Sequence, residues 1–158
     1  MRIVAIALLL SGLGRPAIAE TFSDWSFYAG TTPRGTAFCS ILSAIKTSNV
    51  GQNIAIKTFK GTENLVVDLY KDTWNIPQGT DVEVMLDFGD NKPIVLRAYG
   101  DGHIVDIRLP TEDTAMFLSL VVDRPFMQVV FPGGNEGTWF VGGRGARQAV
   151  SKLTSCAL

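Results

Sequence analysis

Two cysteines, Cys39 and Cys156, and a single histidine, His103, are the most chemically versatile side chains in this 158-residue chain. Zinc sites draw their ligands as close pairs, and one histidine with two distant cysteines falls short of that pattern. A hydrolytic triad needs a nucleophile, a base and an orienting acid. His103 stands beside the Asp101-Gly102 turn, where an exposed turn histidine is the simpler reading, and no GxSxG stretch supplies a serine nucleophile. Asp68, Asp81, Glu83, Asp87 and Asp106 alternate with apolar residues, as on the solvated face of a sheet, and not as the paired acids of a glycosidase. Asp87 and Asp90 in "DFGD" are residues that turns use anyway, and a calcium site needs several oxygens from one loop. No catalytic residue, cofactor or metal is expected, and the chain is not read as an enzyme.

"VGGRGARQAV" has the strand, glycines and helix start of a phosphate-binding loop. It lacks the Lys-Ser/Thr of a Walker loop, and its glycines fail the dinucleotide fingerprint. Arg144 and Arg147 beside the helix start could still attract an anion. A tight strand-to-helix turn, with glycine supplying positive φ, explains the same residues. Among the aromatics Trp25, Tyr28, Trp74, Tyr99 and Trp139, most are expected in the core. Trp74 and Tyr99, with Arg144 and Arg147, form the candidate interaction surface.

"MRIVAIALLLSGLGRPAIAE" carries Arg2, an apolar run from Ile3 to Leu10, breakers, and the small-residue pattern ending at Ala19. That order predicts a signal peptide over residues 1–19, with Glu20 in place of a lipoprotein cysteine, and a single β-rich domain over 20–158 in the periplasm or secreted. Loss of Arg2 and Arg15 takes the formal charge from −1 to about −3, which gives no footprint for nucleic acid. The longest apolar run of the mature region, Ala115–Val122, is too short to span a bilayer, which takes roughly 20 residues. Export makes a Cys39–Cys156 bridge the first reading of the cysteine pair.

The elements that would position these residues are mostly strands. From Phe22 to Leu109 apolar residues recur with period two between turn signals, for example Val82, Val84, Leu86 and Phe88 against Asp81, Glu83, Met85 and Asp87. Thr111 is expected to cap a helix near 111–122, with Glu112 and Asp113 in its first turn. "FMQVVF" and "TWFVGG" bracket "PGGNEG" as a glycine-rich hairpin. Ala146, Ala149, Val150 and Leu153 define a helix near 145–156 that turns Cys156 toward the core. The expected fold is mainly β, antiparallel and sandwich-like, with two short helices, or equally α+β.

The chain also resembles the invasion-associated locus B family of exported alphaproteobacterial proteins. The resemblance is carried by "FSDW" at Phe22–Trp25, "CSIL" at Cys39–Leu42, "TWNIPQG" at Thr73–Gly79 and the ending from Trp139 to Cys156. It departs at Ala29, near which the family has a further cysteine, so a second bridge is not expected. The resemblance implies a small β-sandwich envelope protein without catalysis, acting on an unknown protein partner in the envelope or on a host factor. An inhibitor or immunity protein against a cell-wall hydrolase is the alternative, with "FPGGNEG" as the inserting loop.

Overall fold

The computed structural model describes residues 18–45, 51–62, 64–90 and 92–157. The predicted signal peptide therefore lies outside the described residues except for Ile18 and Ala19. The strands are β1 (Ile18–Phe22), β2 (Trp25–Thr31), β3 (Ala37–Ala44), β4 (Gln52–Phe59), β5 (Leu65–Lys71), β6 (Ile76–Asp87), β7 (Ile94–Gly102) and β8 (Ile104–Leu109). Helix α1 (Thr111–Asp123), β9 (Phe126–Val130), β10 (Trp139–Gly142) and helix α2 (Ala146–Ala157) follow.

Mainly antiparallel β with two helices is the observed class. All ten described strands belong to one sheet in the order β1-β2-β3-β4-β5-β8-β7-β6-β9-β10. The first five strands follow one another as neighbours. The next three then reverse, so that β8 returns beside β5 and the group 5-8-7-6 has Greek-key order. The two layers expected of a sandwich-like fold are opposite walls of this one sheet, curled until its ends approach. Trp25 Nε1 on β2 donates to the Gly142 carbonyl on β10 at 2.8 Å, and Asp24 N donates to the Arg144 carbonyl at 3.1 Å. Trp25 is almost fully buried. Trp25→Phe keeps the ring in the core but strands that carbonyl, and is expected to cost about 1–2 kcal/mol, read as a lower urea midpoint at unchanged slope.

Alternation decides which side of each strand is inside. Ile41, Ile54, Ile56, Val67, Leu69 and Ile107 are fully buried at cross-strand positions of β3, β4, β5 and β8. Helix α2 packs against β1 to β4, burying Ala146, Ala149, Val150 and Leu153. Its start is crowded: Gly145 has φ +83°, and a β-carbon there would meet the Phe22 carbonyl oxygen at 1.9 Å. Glycine is thus required by both backbone conformation and close approach. Helix α1 buries Phe117 and Val121 and packs on α2, with Phe117 edge-on to Phe88 at 6.2 Å.

Three expectations need correction. Pro110, not Thr111, occupies the cap position of α1, and no side chain caps the helix, because the extended Pro110 (φ −62°, ψ 156°) already sets the entry and Thr111 is within the first turn. Cys156 points toward the sheet as expected but is not buried with the core stripe. It is an exposed residue in the last turn of α2, past the point where the buried stripe ends at Leu153, and it meets the sheet through its bond to the buried Cys39. Asp68 is not a solvated sheet residue. It is 7% exposed and paired with Lys57.

Candidate functional site

The site is built at the end of the sheet where β4 begins and β5 ends. Gln52 and Lys71 face each other across that strand pair. The chain leaves β5 in a tight turn, with Trp74 N donating to the Lys71 carbonyl at 3.1 Å, and this turn brings Trp74 back over the end of the sheet. On the other side, the 131–138 connection between β9 and β10 carries Phe131 and Glu136, and Trp139 opens β10 with a buried ring.

Glu136 joins these parts. Its carboxylate accepts from Lys71 Nζ at 2.8 and 2.9 Å, from Trp74 Nε1 at 3.1 Å, from Trp139 Nε1 at 3.0 Å and from Gln52 Nε2 at 3.3 Å. Both oxygens are satisfied, and the Lys71 and Glu136 side chains are only 18% and 17% exposed. Burial pushes this carboxyl upward. The hydrogen bonds from Lys71, Trp139 and Trp74, with the Lys71 charge, outweigh burial and hold it below its ordinary range. A general acid must titrate near the working pH. Glu136 is instead ionised at neutral pH, and its carboxylate pins the 131–138 connection to the sheet.

The aromatic rings complete the structure. Trp74 stacks on Trp139 at 5.2 Å and 22°, and Phe131 meets Trp74 at 5.7 Å and Trp139 at 5.5 Å, both edge-to-face. Such contacts add to area burial and fix ring orientation. In front of them lies a cleft of about 280 Å³. Trp74, Ile76, Val82 and Phe131 supply its apolar wall, Glu136 its carboxylate, and Gly133 and Gly134 its loop side, while Asp81 and Glu83, which flank Val82 on β6, turn their side chains to the outer face with Tyr99 and Arg97. The loop tip, Pro132 to Asn135, is exposed while the residues on either side of it are anchored.

Of the four candidate interaction-surface residues only Trp74 belongs to this cleft, and the FPGGNEG segment expected as an inserting loop forms its loop side. Tyr99 projects, 53% exposed, from the outer face of the sheet, where it sits opposite Asp106. Arg144 pairs with Asp24 at 3.1 Å and Arg147 with Asp123 at 3.0 Å, so the two arginines serve two separate contacts that tie the α2 entry to its neighbours. Gly145 provides the positive φ expected of a strand-to-helix turn. Cys39 and Cys156 form the anticipated disulfide. Asp87 and Asp90 accept from the Gly89 and Lys92 amides, as turn residues do, and Asp90 also holds Arg124 at 3.1 Å. His103 is exposed, its ring 6.1 Å from that of Tyr70.

The second ionic cluster lies on the outer face. Asp68 receives Lys57 from the neighbouring strand and stands opposite Asp106, which is in turn 3.4 Å from Arg108. Burial raises the Asp68 carboxyl above its ordinary range, against the pull of Lys57, and the like charge of Asp106 adds to the rise. None of these four residues lines the cleft at Trp74.

Lys71 was not singled out by the sequence, and Phe131 and Glu136 were included only as members of the FPGGNEG loop, with no role of their own. The one local signal is the Glu136–Trp139 spacing, since Trp74, Lys71 and Gln52 are 62 to 84 residues away. Among the described residues no helix is long and apolar enough to cross a membrane. Family models, curated proteins and solved structures yield no match to this chain.

Proposed function

We propose that this protein is an exported, non-catalytic binding protein of the cell envelope, of the invasion-associated locus B type, that engages a protein partner through the cleft at Trp74 and the adjoining 131–137 loop. The observation that carries this reading is the fourfold anchorage of Glu136. It consumes the buried acid of the cleft in a structural role and holds an exposed loop in one shape before any partner arrives. A loop ordered in advance loses less conformational entropy on binding. The disulfide is in keeping with an oxidising compartment.

A second reading draws on the same loop. Exposed Pro132, Gly133, Gly134 and Asn135 between two anchors are the shape of a segment that enters an enzyme's cleft, which suits an inhibitor or immunity protein against a cell-wall hydrolase. Gly133 offers a clean test, because a β-carbon there meets nothing within 4 Å and its φ is not positive. Capture from periplasmic extract, followed by mass spectrometry, should recover one protein with the wild type and with Tyr99→Ala. Gly133→Tyr should reduce its recovery about tenfold, the effect of losing a central contact of an interface. Recovery that survives Gly133→Tyr but is lost in Tyr99→Ala would move the interface to the outer face and refute the reading. A lysozyme, amidase or transglycosylase as the captured protein, inhibited by the wild type, selects the inhibitor. An outer-membrane component selects the envelope role.

A further inference from the structure

We propose that the cleft at Trp74 takes an extended segment of the protein partner, which adds as a strand along the open edge of β6 and sets an apolar side chain in the recess. The inference rests on the binding role above and names how the partner is held. The edge is the first observation. On one side β6 pairs with β7 from Thr80 to Leu86, but on the other it pairs with β9 only from Met85 to Asp87. Beyond Val130, which stands opposite Met85, the chain leaves β6. Pro132 has no N–H to give to a ladder, and Gly134 N donates to the Phe131 carbonyl at 3.1 Å to close a turn. Among the described residues no main-chain hydrogen bond joins residues 80–84 to the 131–137 loop. Alternate residues of a strand turn their N–H and C=O groups to the same side, so this stretch presents a row of donors and acceptors where β9 would have continued. Asp81 and Glu83 border the cleft although their side chains turn to the outer face, which makes the main chain of β6 part of its wall.

The second observation is the recess beside that edge, lined by Trp74, Ile76, Val82, Val105 and Phe131. Trp139 covers one face of Trp74, and Ile76 lies against Gly100, where a β-carbon would meet its Cγ2 at 2.4 Å, so both walls are fixed. Glu136, the one charged side chain among the lining residues that turns to the recess, is already answered by Lys71 and two indoles. At about 280 Å³ the cleft is just below the roughly 300–1,000 Å³ of sites that enclose drug-sized ligands, which suits an apolar side chain carried on an extended chain. Strand addition divides the work in this way: main-chain bonds give affinity, and pockets for alternate side chains give specificity. A second copy of this chain does not suit the edge. Pairing β6 with its own copy, antiparallel about Val82, would set Asp81 opposite Glu83 twice, and like charges directly opposite are destabilising. A foreign strand without acids at those positions meets no such repulsion.

The test titrates the full, disulfide-bonded chain with the blocked peptide acetyl-Thr-Val-Thr-Leu-Thr-Val-Thr-amide. Three altered forms accompany it: one with Ser in place of Leu, one N-methylated at Leu and both Val, and one N-methylated at the two inner Thr. Amide hydrogen exchange at residues 80–84 and the indole N–H resonance of Trp74 are the readouts. The parent peptide is expected to slow exchange at alternate amides of residues 80–84 and to move the indole signal. One N-methylated form should bind at least about tenfold more weakly and the other like the parent, because only one set of peptide N–H groups faces β6. The Ser form should bind about tenfold more weakly for want of its apolar anchor. Equal binding of the two N-methylated forms, equal binding of the Leu and Ser forms, or no slowing at residues 80–84 at millimolar peptide would overturn the inference. Its failure is distinct from failure of the binding role. If partner capture depends on Gly133 but the peptide leaves residues 80–84 unprotected, only strand addition falls. If capture ignores Gly133 while the peptides behave as expected, only the proposed loop interface falls.

Discussion

Cys156→Ser, or reduction of the Cys39–Cys156 bond, is expected to remove about 4–5 kcal/mol of stability, the largest single effect in the molecule. The bond joins residues 117 apart in the 158-residue sequence, so it restrains most of the chain in the unfolded state. The loss is comparable to much of the roughly 5–15 kcal/mol that holds a typical domain. In the folded state it links the buried end of β3 to the last turn of α2, whose remaining grip comes from Ala146, Ala149, Val150 and Leu153. Those contacts survive reduction, so α2 is expected to fray from its end and not to detach. Urea unfolding with and without reductant measures this. The midpoint should fall, and the slope should rise as the freed unfolded chain exposes more surface. Neither cysteine lines the cleft, so the folded fraction of the reduced protein should bind as the oxidised protein does. An unchanged midpoint would show that the bridge contributes little.

The next largest effect is expected from Glu136→Ala, at about 3 kcal/mol. The substitution leaves the largely buried Lys71 ammonium without its counter-ion and two indole N–H groups without their acceptor. Glu136→Gln keeps the shape but retains only one acceptor oxygen and gains a donor among donors, so about 2 kcal/mol is expected. The pH dependence follows from the lowered carboxyl. Ionised Glu136 stabilises the fold fully above its ordinary value, near 4.5. That contribution is lost as pH falls from there through the depressed folded value. Wild type and Glu136→Gln should therefore differ most near neutrality and converge in acid. The raised Asp68 has the opposite sign: its ionisation costs stability above its ordinary value, and acid relieves that cost. A Glu136→Gln curve parallel to wild type from neutrality to strong acid would show that the carboxylate does not hold the loop.

The strand pattern was legible because alternation reports burial directly. Val84, Leu86 and Phe88 read as inward residues and are. The strand order was not legible. Four residues, 72–75, connect β5 to β6, a length that suggests neighbours in a meander, yet β8 and β7 lie between them. Pairing of β5 with β8 depends on long-range packing that a local pattern does not encode. Asp68 shows the same limit, since alternation assigns a face but not what covers it. Trp74 could be picked out as an aromatic near a turn. Glu136 could not, since a lone acid in a glycine-rich loop looks like any solvated loop residue until the fold brings Lys71, Trp74 and Gln52 to it.

The most direct test of a binding role centred on the loop is site-specific photo-crosslinking in intact cells, with the photoreactive residue at Asn135 on the exposed loop tip or at Tyr99 on the outer face. Both positions are open to solvent, so each probe samples its own surroundings with little disturbance of the fold. A discrete adduct of higher mass from position 135, absent from position 99, is the predicted result. An adduct from position 99 alone, or no adduct from position 135, would contradict it.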